Sequence, residues 1–247
     1  TAGPHRNVRL NLDDIGSQLN QNMPPAMVDL LEIAAFVYVA DQIEHRGAYD
    51  VESMGSHWRR RLRFEISVRE IDLWRSSEMN DALSELLSFL SEDEYEFVFT
   101  KYERPPAIES YLNFADYDEA KPPESVALFS GGLDSLGGAV QQVVRDGEPS
   151  VLVTHESTAK FRNRLRTLRA MIDAAATGPA PQYVTVRINK KDLGEKEYTQ
   201  RSRSFLYAAL AVVVARMAGL DTIRFYENGV VSLNLPLSPQ IVGSRAT

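Results

Sequence analysis

Apolar and polar positions fall into two patterns that change near residue 115. In the first, 7-NVRLNL-12 alternates and predicts a short strand. From Pro24 to about His45, Met27, Leu30, Leu31, Ala34, Phe36, Val37 and Val39 make a broad apolar helical face, and Pro24 and Pro25 suit its first turn. In 61-RLRFEISVRE-70, Leu62, Phe64, Ile66 and Val68 point one way, while Arg61, Arg63, Glu65, Ser67 and Arg69 point the other. Period two with one polar face predicts a half-buried strand of antiparallel type. 78-EMNDALSELLSFL-90 reads as an amphipathic helix and 95-YEFVFTKY-102 as another strand. Residues 1–115 are thus expected to form a small α+β domain that could dock a partner.

The acidic, Pro-Pro-ending stretch 113-NFADYDEAKPPES-125 contains the expected linker, 116–124. Beyond it compact apolar strands alternate with helices. The strands are 125-SVALF-129, 150-SVLVT-154, 183-YVTVRI-188 and 222-TIRFY-226, and the helices span roughly 135–145, 159–176 and 201–218. This alternation predicts an α/β domain over 125–247, a doubly wound, Rossmann-like parallel sheet. It is expected to be incomplete at its C-terminal end. Ligands in such sheets sit beyond the carboxyl ends of the strands. Site residues are therefore expected just after Phe129, Thr154, Ile188 and Tyr226.

Composition narrows the chemistry. The 247 residues are 44% hydrophobic and 25% charged, as in a globular chain. A net charge of −7 gives no global support for a nucleic-acid coat. There is no cysteine, which removes disulfides, thiolate zinc sites, iron–sulfur clusters and a cysteine nucleophile. No apolar run reaches the ~18 residues of a membrane span. The first ten residues contain no signal-peptide apolar core. A soluble, cytoplasmic protein is expected. His45 and His57 have no partners at metal-ligand spacing.

The chemistry concentrates in 126-VALFSGGLDSLGGAV-140. Gly131 and Gly132 allow a tight turn and close backbone approach to a ligand. The helix that follows offers unpaired N–H groups and the positive end of its dipole. Ser130 and Ser135 add hydroxyls. The result is an anion cradle that matches neither G-x-x-x-x-G-K-[ST] nor G-x-G-x-x-G. Asp134 has two readings. It either complements the helix N-terminus or meets a cation carried by a bound phosphate.

Ser130-Gly131-Gly132-Leu133-Asp134-Ser135 resembles the SGGxDS loop of the PP-loop ATP pyrophosphatase family, whose fold is HUP-like. Those enzymes cleave ATP between its α and β phosphates and activate an oxygen of their substrate as an adenylate. The resemblance implies that ATP is bound over Ser130–Ser135, that pyrophosphate sits on the loop, and that Asp134 serves magnesium.

Two further segments point to one branch. 199-TQRSRSFLYAALAVVVARMAG-219 is similar to the Gly-Arg-Asn-x-x-Phe-Leu-x-x-Ala segment of the 7-cyano-7-deazaguanine synthases, the QueC family. Arg201 falls on the arginine, Ser202 replaces the asparagine and Arg203 is an additional cation. Arg201 is expected to meet the α-phosphate or a substrate carboxylate, or else to pair with Glu195 or Glu197. For Arg203 a salt bridge is the favoured reading. The helix after them is apolar almost all round and should be buried against the sheet. Glu227, Asn228 and Gly229 follow the fourth strand where the QueC family has a polar turn. That family's cysteine zinc cluster is missing here. Residues 1–115, with 86-LLSFLSEDEYEFVF-99 and 223-IRFYENGVVSLNLP-236, look like the QatC-type, QueC-like proteins of bacterial antiphage operons.

The resemblance implies an adenylating enzyme that takes a small carboxylate, a 7-deazaguanine acid among the candidates. An amide, a nitrile or a conjugate with a partner protein of a defence operon would follow. Alternatives are a tRNA-modifying PP-loop enzyme and a non-catalytic nucleotide-binding module. His155, after the second strand, is either a substrate-side acid–base group or a hydrogen-bonded structural residue. In 160-KFRNRLRTLR-169, Phe161, Leu165, Leu168 and Ile172 form the buried face. Arg162, Arg166 and Arg169 lie opposite, on a solvated face or against phosphates. 57-HWRRRLR-63 is expected to be an exposed strand face.

Overall fold

A computed structural model describes residues 8–11, 23–44, 59–105, 122–156, 159–190 and 201–227. The elements in chain order are β1 (Val8–Asn11), α1 (Pro25–Ile43), β2 (Arg61–Val68), α2 (Ile71–Arg75), α3 (Ser77–Ser91), β3 (Glu94–Lys101), β4 (Ser125–Leu128), α4 (Leu133–Ala139), β5 (Ser150–His155), α5 (Ala159–Ala175), β6 (Gln182–Lys190), α6 (Arg203–Met217) and β7 (Ile223–Arg224). α4 runs on into π-helical turns over Val140–Arg145.

The protein is α/β with parallel sheets. Five strands form the larger one, in the order β1-β6-β5-β4-β7. β4 pairs in parallel with both β5 and β7, and β5 with β6, whereas β1 runs antiparallel along β6. The first short strand is therefore the edge of the larger sheet. The strands are short apolar runs because both faces are covered. Val126, Leu128, Val151, Val153, Val184 and Val186 share one core with α1 and α6. Ala127, Phe129 and Leu152 face the other way, onto Ala139, Val143, Leu165 and Ile172 of the α4 and α5 layer. Alternation of side chains across each strand puts successive residues into these two cores.

α6 is buried nearly all round, as its composition predicts, from Phe205 to Met217. α1 is as well, and its low amphipathicity has the same cause: it is walled in on several sides. It packs on α6 and shares its core with the second, two-stranded sheet. That sheet corrects the antiparallel expectation for 61–70. β2 and β3 are parallel, from Arg61 opposite Glu94 to Val68 opposite Lys101, with α2 and α3 as the crossover. Period two reports only that one face is wet, and here the wet face is a charge ladder. Arg61 meets Glu94 at 2.7 Å, and Arg63 meets Glu65 at 3.1 Å and Glu96 at 3.8 Å. The other face stacks Phe64, Tyr95, Phe97 and Phe99.

Two carboxylates of α1 hold this βαβ unit. Asp29 accepts from the backbone N–H of Arg69 and of Glu70, from the Arg69 guanidinium and from the Trp74 indole. Asp41 pairs with Arg60 at 2.6 Å, and Arg60 in turn binds Asp93 and the carbonyls of Asp41 and Glu44. Arg60 is thus buried, against the exposed face expected for 57–63. No helix among the described residues is long and apolar enough to cross a membrane.

Candidate functional site

The chain order of the strands reverses between β4 and β7, and the Ser130–Ser135 loop leaves the sheet there. β4 ends with the N–H of Phe129 on the Val153 carbonyl. The Thr154 hydroxyl donates to the Phe129 carbonyl at 2.8 Å, satisfying the backbone as it departs. Gly131 has φ +68, the left-handed region that favours glycine. A Cβ there would stand 2.9 Å from Leu165 Cδ2, so the glycine also lets α5 close on the loop. Gly132 caps α4 without a side-chain bond. The Ser135 hydroxyl donates to the Gly132 carbonyl at 3.1 Å and lies 3.2 Å from the Ser130 hydroxyl. Gly131 and Ser135 are buried, Ser130 is half-buried, and Gly132, Leu133 and Asp134 face solvent. The Leu133 side chain is 82% exposed.

Across the reversal, β7 delivers Tyr226 and Glu227. The Tyr226 ring packs against Gly138, where a Cβ would stand only 2.1 Å from its Cγ and Cδ2. This contact fixes the end of β7 against α4, beside the loop. Burial, then the charge of Asp134, pushes the Glu227 carboxyl above its ordinary range, while Arg203 draws it back. Glu227 thus feels the charges of both Asp134 in the loop and Arg203 at the start of α6.

Arg203 lies over the Tyr207 ring at 5.3 Å and reaches the Tyr207 hydroxyl at 3.4 Å. Burial works against its charge. Tyr207, Tyr38 and Glu227 outweigh that and hold its guanidinium above the ordinary arginine range. The i, i+4 spacing of Arg203 and Tyr207 was the signal available in the sequence.

Arg201, expected in the site, faces elsewhere. It is buried, with Nη1 3.4 Å from the Ser91 carbonyl and 3.6 Å from Glu92 Oε2, at the end of α3. Its acidic neighbour is Glu92, while Glu195 and Glu197 lie outside the described residues. Ser202 gives both its N–H and its hydroxyl to Asp41. His155 is 2% exposed, set edge-on between Tyr38 and Tyr207 with ring centroids at 5.3 and 6.1 Å. It packs in the wall beneath Arg203 rather than opening to solvent. Glu156, which follows it, takes Arg162 at 3.0 Å. Arg169 donates to the Thr185 hydroxyl at 2.7 Å and stacks on Tyr183. Two of the arginines on the basic helix are thus tied to the sheet. Asn228 and Gly229 lie outside the described residues, as do His45 and His57.

Among the described residues no group of three histidine, aspartate or glutamate side chains could hold a metal ion unaided. A scan against protein-family models and searches among curated proteins and solved structures give no match to this chain.

Proposed function

We propose that this chain binds magnesium–ATP over Ser130–Ser135, on a doubly wound sheet of the PP-loop type, and cleaves it to AMP and pyrophosphate. One observation carries the reading. A glycine-bent loop with a solvent-facing aspartate leaves β4 where the strand order reverses, the position at which open α/β sheets hold ligands. The resemblance of Ser130–Ser135 to the ATP pyrophosphatase loop gives that geometry its chemistry.

The donor set fits magnesium that arrives with the nucleotide. Magnesium takes one or two carboxylates together with phosphate oxygens and waters, and Asp134, facing solvent in the loop, supplies one. The ion would neutralise phosphate charge. In the reaction a carboxylate oxygen of the substrate attacks the α-phosphorus. The bond from phosphorus to the oxygen bridging to the β-phosphate breaks, and pyrophosphate leaves on the loop amides. A nitrogen nucleophile then attacks the acyl carbon and AMP departs. The protein's share is positioning and fixed charge. By its resemblance to QueC-like and QatC-type proteins, the acid is a small carboxylate such as a 7-deazaguanine acid. The acceptor is ammonia or an amine on a partner of a defence operon.

The test is release of pyrophosphate from ATP in the presence of 7-carboxy-7-deazaguanine, with mass spectrometry of products and partner proteins. Asp134→Ala is expected to abolish release while leaving the circular dichroism spectrum unchanged. Undiminished release would remove Asp134 from the mechanism. The tRNA-modifying alternative draws less support here, because Arg162 and Arg169 already have partners within the fold.

A further inference from the structure

We propose that a second copy of this chain pairs along the free edge of β2, antiparallel about a two-fold axis at Phe64, and joins the two small sheets into one. The contact lies on the β2–β3 unit and does not depend on the ATP reading above.

The backbone bonds show which edges are open. The Glu94 N–H donates to the Arg60 carbonyl and the Tyr102 N–H to the Val68 carbonyl, so the even-numbered residues of the two strands turn their peptide groups toward each other. The odd-numbered residues turn theirs outward, because these groups alternate along a strand. On β3 the outer edge is closed by the crossover. The Phe97 carbonyl accepts from the Asn80 amide at 3.2 Å, and the Phe99 carbonyl from Arg75 Nε at 2.9 Å. On β2 the outer groups belong to Arg61, Arg63, Glu65 and Ser67, and among the described residues no strand pairs with them. An eight-residue strand without proline at an open edge is a template for another strand.

The charges along this edge select the occupant. With Phe64 on the axis, Arg63 of each copy faces Glu65 of the other, and Arg61 faces the neutral Ser67. Odd residues then lie opposite odd residues, so each of these pairs exchanges two backbone hydrogen bonds. The half-buried Phe64 meets its own copy, and the half-buried Leu62 meets Ile66, which carries the apolar face across the axis. Moving the axis by one residue sets Arg63 against Arg63 or Glu65 against Glu65, and like charges directly opposite are destabilising. The row is therefore complementary to itself in the register that engages the whole open edge, as a two-fold contact requires. Arg63 is tied only to the exposed Glu65 and Glu96, at 3.1 and 3.8 Å, so turning to the other copy strips no buried charge.

The test is sedimentation velocity of the full chain as a function of concentration, for the wild type, Arg63→Glu and Glu65→Arg. The wild type is expected to dimerise. Each substitution alone sets like charges against each other at both symmetric positions and should weaken the dimer about tenfold or more. An equal mixture of the two variants restores opposite charges at both positions, and its mixed dimer should return close to wild-type affinity. Both side chains are solvent-exposed, so each variant should keep the wild-type circular dichroism spectrum. The amides of Arg63 and Glu65 should also exchange more slowly with deuterium as the dimer forms. A wild-type chain that is monomeric at every concentration overturns the inference, and slow exchange of these amides in that monomer would put another segment of the chain on the edge instead. A dimer equally stable in both variants overturns it too, as does a weakened dimer that the mixture fails to recover.

Discussion

The Asp41 carboxylate holds Ser202 by both its N–H and its hydroxyl, at 2.9 and 3.0 Å, across 161 residues of sequence. The other carboxylate oxygen meets Arg60, which also clamps Asp93. One buried side chain on α1 thus ties the small parallel sheet to the first turn of α6, next to Arg203. Asp41→Ala would leave Arg60 short of a charge partner and Ser202 short of an acceptor. A cost of about 3–5 kcal/mol is expected, read as a lower midpoint in urea unfolding. A midpoint within error of wild type would show that the network contributes no net stability.

The same carboxylate makes stability depend on pH. Burial pushes the Asp41 carboxyl up, but the bonds from Ser202 and Arg60 outweigh it and hold the group below its ordinary value. A depressed carboxylate contributes stability that is present above its unfolded pKa, about 3.9, and is lost as pH falls through its folded value. Tyr95 contributes to the alkaline side beside Tyr183, whose phenol is also pushed up, by burial and then by Asp173. Burial pushes the Tyr95 phenol up to about 12, against the bond to Ser91 that lowers it. Its contribution is complete below pH ~10 and is lost as pH rises toward the folded value. Tyr95→Phe should reduce the alkaline limb, leaving the share owed to Tyr183, and cost about 1 kcal/mol at neutral pH, because Ser91 keeps its bond to the Leu87 carbonyl. Unfolding free energies measured from pH 3 to pH 11 check both limbs.

Much of the fold was legible because burial writes a period into the chain. The all-round apolar pattern of α6, the short apolar runs of β4, β5 and β6 and the wet–dry alternation of β2 all come directly from which faces are covered. Strand direction is not written that way. β2 lies parallel to β3 because a helical crossover intervenes, and β1 joins a sheet whose next strand is more than 170 residues away in sequence. The loop was legible because glycines, serines and an acid at a strand-to-helix junction have few other uses. The roles of Arg201 and Arg203 were not. They lie two residues apart at the start of one helix, and only the packing of α3 and Tyr207 decides what each one meets.

Asp29 provides a second test of the α1 anchors. It receives two backbone N–H groups, a guanidinium and the Trp74 indole N–H, all from β2's end and α2. Asp29→Ala orphans the two backbone N–H groups and the indole together, while Arg69 keeps Glu32, and a loss of about 3 kcal/mol is expected. Trp74 fluorescence, shifted to the red, reports where the damage falls. Arg61→Ala on the exposed ladder is the contrast. Its partner Glu94 is solvated, so the change should stay below about 1 kcal/mol. Comparable losses at the two positions would contradict the assignment of the anchor to α1.

Gly137 and Gly138, adjacent in α4, should respond to alanine with opposite signs. Helix propensity alone favours alanine over glycine by about 1 kcal/mol at either position. A Cβ on Gly137 meets nothing within 4 Å, so Gly137→Ala should realise that gain. A Cβ on Gly138 would stand 2.1 Å from Cγ of Tyr226, the root of the ring, which cannot swing aside as the tip of a flexible chain can. Tyr226 would have to leave the helix, and overpacking of this kind costs about 1–3 kcal/mol. Because Glu227 follows Tyr226, the displacement would also carry its carboxylate away from Asp134 and Arg203. Gly138→Ala is therefore expected to lower both the unfolding midpoint and ATP affinity, while Gly137→Ala raises the first and spares the second. Equal behaviour of the two variants would mean that the Tyr226–Gly138 contact does not hold β7 to the loop.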